Sequence, residues 1–141
     1  MKKILGLMLV GIVSFWSVKS LIGQEYFPMH DDTQVARVVV MGNALLHGQF
    51  PVRWVSDLGY GYGYPLYNFY GPLPYYLGGS LYALGVDSVM ATKWMFGIGT
   101  ILAAVTMFLL LYPMMGLLSA VTGSMVVLYC FWYSIFSVLF S

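Results

Sequence analysis

The chain has 141 residues, of which 60% are hydrophobic, 18% are aromatic and only 8% are charged. An ordinary soluble domain carries about 25% charged residues, and a chain of this length has too little interior to hide so much apolar surface. A soluble globular domain and a disordered chain are therefore both excluded. The net charge of +1 argues against a nucleic-acid binder, and the single cysteine excludes a disulfide framework. An integral membrane protein remains.

The charge-free C-terminal stretch predicts two transmembrane helices. No charged residue follows Lys93, and because one span needs about 20 apolar residues, this stretch is long enough for two. Pro113 lacks an amide hydrogen and resists a helix interior, and together with Gly116 it marks the break between the helices. The predicted spans are residues 88–111 and 117–140.

Two further spans are predicted upstream. Residues 1–22 form the first, after a start that carries Lys2 and Lys3. The alternative is a cleaved signal peptide, but no small-x-small cleavage site follows the apolar stretch, which favours an uncleaved anchor. Residues 72–86 form the second span, with proline in its first turn and with Asp87 at the cap of the next helix.

The basic residues predict which end of the chain is cytoplasmic. Their number is equal on the two sides, but Lys2, Lys3 and Lys93 lie in very short segments, which favours a cytoplasmic N-terminus. Residues 23–71 then form a long outer loop. Loops beyond about 15 residues are usually functional or disordered, and this one is not of low complexity. We therefore expect the function to lie in this loop.

An amphipathic helix is predicted within the outer loop, at residues 31–47. Apolar residues recur there with the i, i+3, i+4 spacing of one helical face, and Gly48 suits the position that follows a helix end. Such a helix lies in the membrane interface with its apolar face down, or packs on the helix at 72–86. The predicted apolar face consists of Val35, Val38, Val39, Gly42, Leu45 and Leu46.

Three polar residues, His30, Asp31 and Asp32, open this helix and have two interpretations. In the first, Asp31 and Gln34 form a capping box, and the early carboxylates stabilise the positive end of the helix dipole. In the second, the two carboxylates and the imidazole hold a divalent cation or take a proton from an acceptor hydroxyl. The spacing alone favours capping, and the two roles are compatible.

The remaining candidates in the loop are basic and aromatic. Arg37 suits an ion pair or a phosphate contact, and Arg53 with Trp54 suits an interface anchor or a ligand contact. The Gly- and Tyr-rich run at 59–65 lacks the spacing of a dinucleotide motif. It is either an irregular interfacial loop or a surface that binds sugar or lipid. Two further polar residues are interpreted as surface positions at a helix end and in a turn, His47 and Asp57.

The order of these features resembles a known family. One span is followed by a long outer loop with His-Asp, an amphipathic helix and Phe-Pro-x-Arg-Trp at 50–54. The run Gly-Tyr-Gly-Tyr-Pro-Leu-Tyr-Asn-Phe-Tyr-Gly-Pro-Leu-Pro-Tyr-Tyr follows at 61–76. This order resembles the N-terminal part of bacterial membrane proteins labelled 6-pyruvoyl-tetrahydropterin-synthase-related, which are similar to GT-C glycosyltransferases. The resemblance covers most of residues 20–95 and is most specific over 50–76.

The resemblance implies an all-α integral membrane protein whose outer loop transfers a sugar from a polyprenyl-phosphate-linked donor on the outer face of the inner membrane. It implies that Asp31 acts as a base or as a ligand of Mg²⁺ or Mn²⁺, with Asp32 as the second candidate for both roles. Contacts with the substrates are then expected from His30, Arg37, Arg53, Trp54, Tyr62, Tyr64 and Tyr67.

The family has many more spans than this chain and usually a further outer domain. The chain therefore resembles an N-terminal fragment, expected to be inactive by itself. Its expected partners are the bilayer, a lipid-linked sugar donor and the missing C-terminal transmembrane helices, and not nucleic acid. The alternatives are a non-catalytic membrane subunit, a transporter part for lipid-linked saccharides, and an inactive remnant.

Overall fold

The computed structural model describes residues 2–23 and 33–139, and these residues contain helices and no strand. An all-helical fold is thus confirmed for the described residues. The chain forms two compact units: the helical unit, with described residues 2–23 and 97–139, and the loop unit, with described residues 33–96. The helices are α1 (Lys2–Val18, followed by a 3-10 turn at Lys19–Ile22), α2 (Gln34–Leu46), α3 (Leu66–Phe69), α4 (Leu73–Ala83) and α5 (Ser88–Leu139).

The helix α5 is the most apolar part of the molecule. Within the described residues it is the one helix that is long enough and apolar enough to cross a membrane, over Ser88–Phe131. Its most apolar stretch has a mean hydropathy of 2.2, and only 11% of that stretch is buried. The core helix of a soluble protein would be mostly buried, so this exposed apolar surface favours contact with lipid.

The two halves of α5, before and after Gly116, fold back on each other. This residue has φ 81° and ψ −175°, a backbone conformation that glycine adopts readily and other residues do not. We call residues 88–115 α5a and residues 117–139 α5b. The hydroxyl of Ser124 donates to the carbonyl oxygen of Ala104, 20 positions earlier, at 3.0 Å. Because an unbroken helix would separate these residues by about 30 Å, α5a and α5b form an antiparallel hairpin. Its break lies at Gly116, with Pro113 inside the helix.

α1 packs against this hairpin through a stripe of small residues. The buried positions of α1 recur every four residues, and a Cβ atom on Gly6 would lie 2.7 Å from both Phe108 and Leu117. Small residues allow helices to approach this closely in membranes. The opposite faces of α1 and α5 are exposed and apolar, as lipid contact requires. They include Ile4, Leu5, Met8, Ile12, Phe15, Trp16, Leu102, Leu110, Met114, Leu118 and Val126.

The loop unit is built on the crossing of α2 and α4. Gly42 of α2 and Gly79 of α4 lie at this crossing, where a Cβ atom on either residue would meet the backbone of the other. Val38 and Met41 of α2 are fully buried around the crossing. Further core residues come from the segment between α2 and α4, which includes α3, from α4 itself and from the start of α5. They are Val52, Val55, Leu66, Tyr67, Tyr75, Ala91 and Met95.

The structure decides between the two predicted surroundings of the apolar face of α2. Val38 and Gly42 are buried as expected, and α4, the helix expected at 72–86, packs against this face. Leu46 is 63% exposed, so it lies outside the part of this face that α4 covers. Val40 and Met41, which the spacing had not selected, are buried. The physical reason is that protein surrounds α2 over a wider part of its circumference than a single apolar face would cover.

Glycines end both helices of this pair. At Gly48 the backbone N–H groups of residues 48 and 49 donate to the carbonyl oxygens of Leu45 and Ala44, at 2.9 and 3.0 Å. This is the Schellman motif, and it requires the positive φ of 76° that Gly48 has. Gly85 ends α4 in the same way. Asp87 then caps α5, since its carboxylate accepts hydrogen bonds from the backbone N–H groups of Val89 and Met90.

The helix expected at 72–86 is present as α4, but four transmembrane helices are not shown. α4 has 11 residues and rises about 16 Å, roughly half of the hydrocarbon thickness of a bilayer. Lys93 also lies in the loop unit and is 3% exposed. Its neighbours Ala91 and Met95 belong to the same core as Val38 and Val52 of the predicted outer loop, so the structure does not support the use of Lys93 in the orientation argument.

Candidate functional site

The predicted catalytic and metal-binding residues, Asp31 and Asp32, and the neighbouring His30 lie outside the described residues. At the start of α2, Thr33 precedes the helix and makes no capping hydrogen bond with its side chain. The side chain of Gln34 accepts a hydrogen bond from the phenol of Tyr75 at 2.7 Å, a partner that the local spacing does not indicate. The predicted capping box stays a prediction, because Asp31 lies outside the described residues.

Arg37 lies within a cluster of tyrosines that joins three helices of the loop unit. Its guanidinium carbon is 4.2 Å from the centre of the Tyr70 ring, within the range of a cation–π interaction. It also donates to the phenol oxygen of Tyr75 at 3.4 Å. Its carbonyl oxygen accepts a hydrogen bond from Tyr67 at 2.6 Å. Arg37 thus holds the start of α2 against α3 and α4, and a phosphate would compete with these contacts.

Tyr67, predicted to contact substrate, is a buried member of this cluster. Its side chain is 4% exposed, and its ring centre is 5.6 Å from that of Tyr75. Burial raises the pKa of the Tyr67 phenol well above its usual value. Tyr75 and Tyr76 raise this pKa further, and Arg37 opposes the rise. Tyr67 is therefore a hydrogen-bond donor inside the unit, and its contact with substrate stays a prediction.

The Gly- and Tyr-rich run forms a closed turn with exposed aromatic tips. Val55 and Tyr64 exchange two backbone hydrogen bonds, of 2.9 and 2.8 Å, that close its base. Tyr60 and Tyr62 project from the tip and are 104% and 88% exposed, and Tyr64 at the base is 44% exposed. The two exposed rings suit both interpretations of the run, an interfacial anchor and a ligand surface.

Arg53 and Trp54 lie at the base of this turn. The indole ring of Trp54 packs on Gly63, where a Cβ atom would clash with the ring. The tight approach and the positive φ of 79° both require glycine at this position. Trp54 remains 50% exposed, and Arg53 is exposed beside it. The packing on Gly63 thus fixes the orientation of an indole ring that is still open to a ligand.

A pocket of about 200 Å³ lies between the end of α2 and the base of the turn. It combines apolar residues with the Trp54 ring and with several polar side chains. The apolar residues are Val40, Ala44 and Val55, and the polar ones are Asn43, His47, Gln49, Ser56 and Asp57.

Two of the polar groups in this pocket are held by neighbours. The Nδ1 atom of His47 is 2.7 Å from the carbonyl oxygen of Asn43, and the hydroxyl of Ser56 donates to Asp57 at 2.8 Å. The sequence indicated Trp54 but not His47 or Asp57, which were interpreted as surface and turn residues. The Schellman turn at Gly48 and the Val55–Tyr64 pairing bring these two residues to one pocket.

The predicted metal site stays a prediction. Among residues 2–23 and 33–139, no group of three His, Cys, Asp or Glu side chains is placed to hold a metal ion. The proposed ligands Asp31 and Asp32 are not among these residues, so this finding does not bear on them. In comparisons with protein-family models, with curated proteins and with solved structures, the chain has no match.

Proposed function

We propose that this chain is the N-terminal part of a polytopic glycosyltransferase that takes its sugar from a polyprenyl-phosphate-linked donor on the outer face of the inner membrane. The observation that carries the proposal is the loop unit. It is a folded unit with its own core and a polar-lined pocket, inserted between apolar helices. A connector between spans needs neither a core nor a pocket, whereas an enzyme that works on a lipid-linked sugar needs a structured site beside the bilayer.

The helix lengths support an arrangement in which α1, α5a and α5b span the membrane. With its 3-10 turn, α1 rises about 30 Å, and α5a and α5b rise about 42 and 35 Å. Each is long enough for the hydrocarbon core. In this arrangement the N-terminus is cytoplasmic and the whole loop unit, including α4, lies on the outer side. This differs from the four-span prediction by removing the span at 72–86.

Cation–aromatic pairs near the two ends of α1 suit this arrangement. The ammonium of Lys3 lies 6.0 Å from the centre of the Tyr112 ring, and that of Lys19 lies 4.9 Å from the Trp16 ring. Lys3 and Lys19 are about 24 Å apart along the helix axis, close to the thickness of the apolar layer. Basic and aromatic side chains are enriched at both membrane interfaces.

In the proposed reaction, the acceptor oxygen forms a bond to the anomeric carbon of the sugar while the bond from that carbon to the phosphate oxygen breaks, and polyprenyl phosphate leaves. Asp31 would take the proton of the acceptor hydroxyl or would hold a divalent cation, and Asp32 is the second candidate for both roles. Such a cation would supply positive charge that stabilises the leaving phosphate. Of the two arginines, Arg53 is the better candidate for the phosphate, because it is exposed beside Trp54, whereas Arg37 contacts Tyr70 and Tyr75.

Photo-crosslinking tests the proposal in the full chain, reconstituted into lipid nanodiscs. The probe is a short-chain polyprenyl-phosphate glucose with a diazirine in the lipid. We expect labelling concentrated in residues 24–76 and displaced by unlabelled lipid-linked sugar, but not by dodecyl phosphate. Arg53→Gln should reduce this labelling, and Lys19→Gln, which removes another exposed cation, should not. Labelling spread evenly over the exposed faces of α1 and α5, without displacement, would contradict the proposal.

A further inference from the structure

The lining of the pocket at the end of α2 matches an uncharged sugar ring. We propose that this pocket, formed around Trp54, His47 and Asp57, binds one neutral monosaccharide unit. The inference deepens the proposed function and rests on it for the choice of a sugar as ligand. It names the substrate class, a neutral glycosyl unit, and it assigns to ligand binding two residues, His47 and Asp57, that the resemblance does not select.

Trp54 provides the surface on which a sugar ring can stack. The C–H groups on one face of a pyranose are apolar and pack against the face of an aromatic ring, which also removes apolar area from water. The indole ring is preorganised, since it packs on Gly63 and follows the backbone pairing of Val55 with Tyr64. A ligand therefore does not have to order this side chain, which lowers the entropic cost of binding.

The polar groups of the pocket suit hydroxyl groups that donate hydrogen bonds. The carboxylate of Asp57 is an acceptor, and Ser56 holds one of its oxygens. The contact of His47 Nδ1 with a carbonyl oxygen, which only accepts, assigns the proton to Nδ1. In the neutral imidazole, Nε2 is then a second acceptor. The amides of Asn43 and Gln49 offer both donors and acceptors to the remaining hydroxyls.

Charge and size restrict the ligand further. The pocket lining contains no lysine or arginine, and the carboxylate of Asp57 repels an anion. A uronic acid, whose negative charge lies on the sugar ring itself, is therefore disfavoured. Drug-sized ligands occupy pockets of about 300–1,000 Å³, so about 200 Å³ suits a single sugar ring. The ring has two sources, the lipid-linked donor or a sugar of the acceptor, and both present the same hydroxyl chemistry.

Saturation-transfer NMR on the full chain in nanodiscs tests the site. The probes are methyl β-D-glucopyranoside, the corresponding galactoside, mannoside and xyloside, and methyl β-D-glucuronide. We expect millimolar binding of at least one neutral glycoside, and binding of the glucuronide that is weaker by at least about tenfold. Asp57→Asn should strengthen binding of the glucuronide relative to the unchanged chain, a gain that a loss of folding would not produce. Trp54→Ala should abolish stacking and weaken all binding by at least about tenfold. Phe69→Ala, which changes an exposed ring outside the pocket, should leave binding unchanged.

A competition arm distinguishes the two sources of the sugar. Displacement of the bound glycoside by short-chain polyprenyl-phosphate glucose assigns the pocket to the donor, and simultaneous binding of both assigns it to the acceptor. Either result supports the site. Absence of binding for every neutral glycoside, or equal binding of glucoside and glucuronide, overturns it. Displaceable photo-labelling by the lipid-linked donor together with no glycoside binding would refute this inference alone, whereas glycoside binding without donor labelling would refute the proposed function alone.

Discussion

Gly42 of α2 and Gly79 of α4 lie in direct backbone contact. A Cβ atom on Gly42 would lie 2.8 Å from the carbonyl oxygen of Gly79, and one on Gly79 would lie 2.9 Å from the amide nitrogen of Gly42. Neither distance leaves room for a methyl group. This contact brings α2 and α4 together, and it thereby places Tyr75 of α4 within hydrogen-bond distance of Gln34 and Arg37 on α2.

Gly79→Ala should destabilise the loop unit. An added methyl group at a closed helix crossing costs about 1–3 kcal/mol, because the backbones must separate. Hydrogen exchange measures the effect as lower protection of the α2 and α4 amides. The matched control is Gly71→Ala in the same unit, where nothing lies within 4 Å of the added Cβ atom. Equal protection in the two variants would show that the helices do not cross at these glycines.

Tyr67 should make the loop unit sensitive to alkaline pH. Because burial raises the pKa of its phenol in the folded state, the stabilisation that depends on neutral Tyr67 is complete below about pH 10 and decreases as the pH rises above that value. We expect Tyr67→Phe to lose about 1 kcal/mol at neutral pH through its missing hydrogen bond, but to show a shallower loss between about pH 10 and 12. Thermal unfolding measured across this range checks the slope.

Tyr60→Phe is the control for the pH experiment, because Tyr60 is fully exposed and its removal should leave the alkaline slope unchanged. If Tyr67→Phe and Tyr60→Phe have the same slope as the unchanged chain, the loss of stability at high pH does not originate in the buried phenol.

The three-span arrangement predicts that both ends of α4 face the same side of the membrane. Cysteines at two exposed positions, Tyr62 and Leu84, should react with an impermeant thiol reagent in intact cells. A cysteine at Met114, exposed near the turn of the α5 hairpin, should react only after the membrane is opened. The background needs Cys130→Ser, since Cys130 is exposed. Reaction of Tyr62→Cys and Met114→Cys in intact cells, with Leu84→Cys reacting only after the membrane is opened, would restore the span at 72–86.

The hairpin of α5 can be measured directly as a distance. Leu102 and Val126 are exposed on α5a and α5b, one on either side of the Ala104–Ser124 hydrogen bond. Spin labels at these two positions should lie less than about 20 Å apart, because packed helices are separated by 8–10 Å. An unbroken helix would place them about 36 Å apart. A distance near the larger value would refute the break at Gly116.

The features that the sequence predicted correctly are local. Gly116 at the break of α5, Gly48 at the end of α2 and Asp87 at the start of α5 each act through their own backbone or through amides a few residues away. Phi angles and capping bonds of this kind depend on short segments. The uncharged stretch after Lys93 likewise predicts an apolar helix without knowledge of its neighbours.

What the sequence did not predict depends on contacts between distant residues. The side chain of Gln34 accepts a hydrogen bond from Tyr75, 41 positions later, and local spacing cannot predict such a partner. The sequence left open whether the apolar face of α2 meets lipid or the helix at 72–86, because the crossing at Gly42 and Gly79 joins residues 37 positions apart. His47 and Asp57 were interpreted as surface and turn residues, because only the fold of the loop unit brings them to one pocket.

The central claim is that this chain supplies a carboxylate to a sugar-transfer reaction beside the membrane. The direct measurement is the rate of transfer from a polyprenyl-phosphate-linked sugar, in a full-length context that supplies the remaining helices implied by the resemblance. Asparagine is as good as aspartate at a helix start, so Asp31→Asn, Asp32→Asn and the double variant should fold normally. We predict that at least one single variant and the double variant lose transfer by about a hundredfold or more, the scale of a lost acid–base group. Full transfer in all three variants would contradict the account and leave these residues only a structural role.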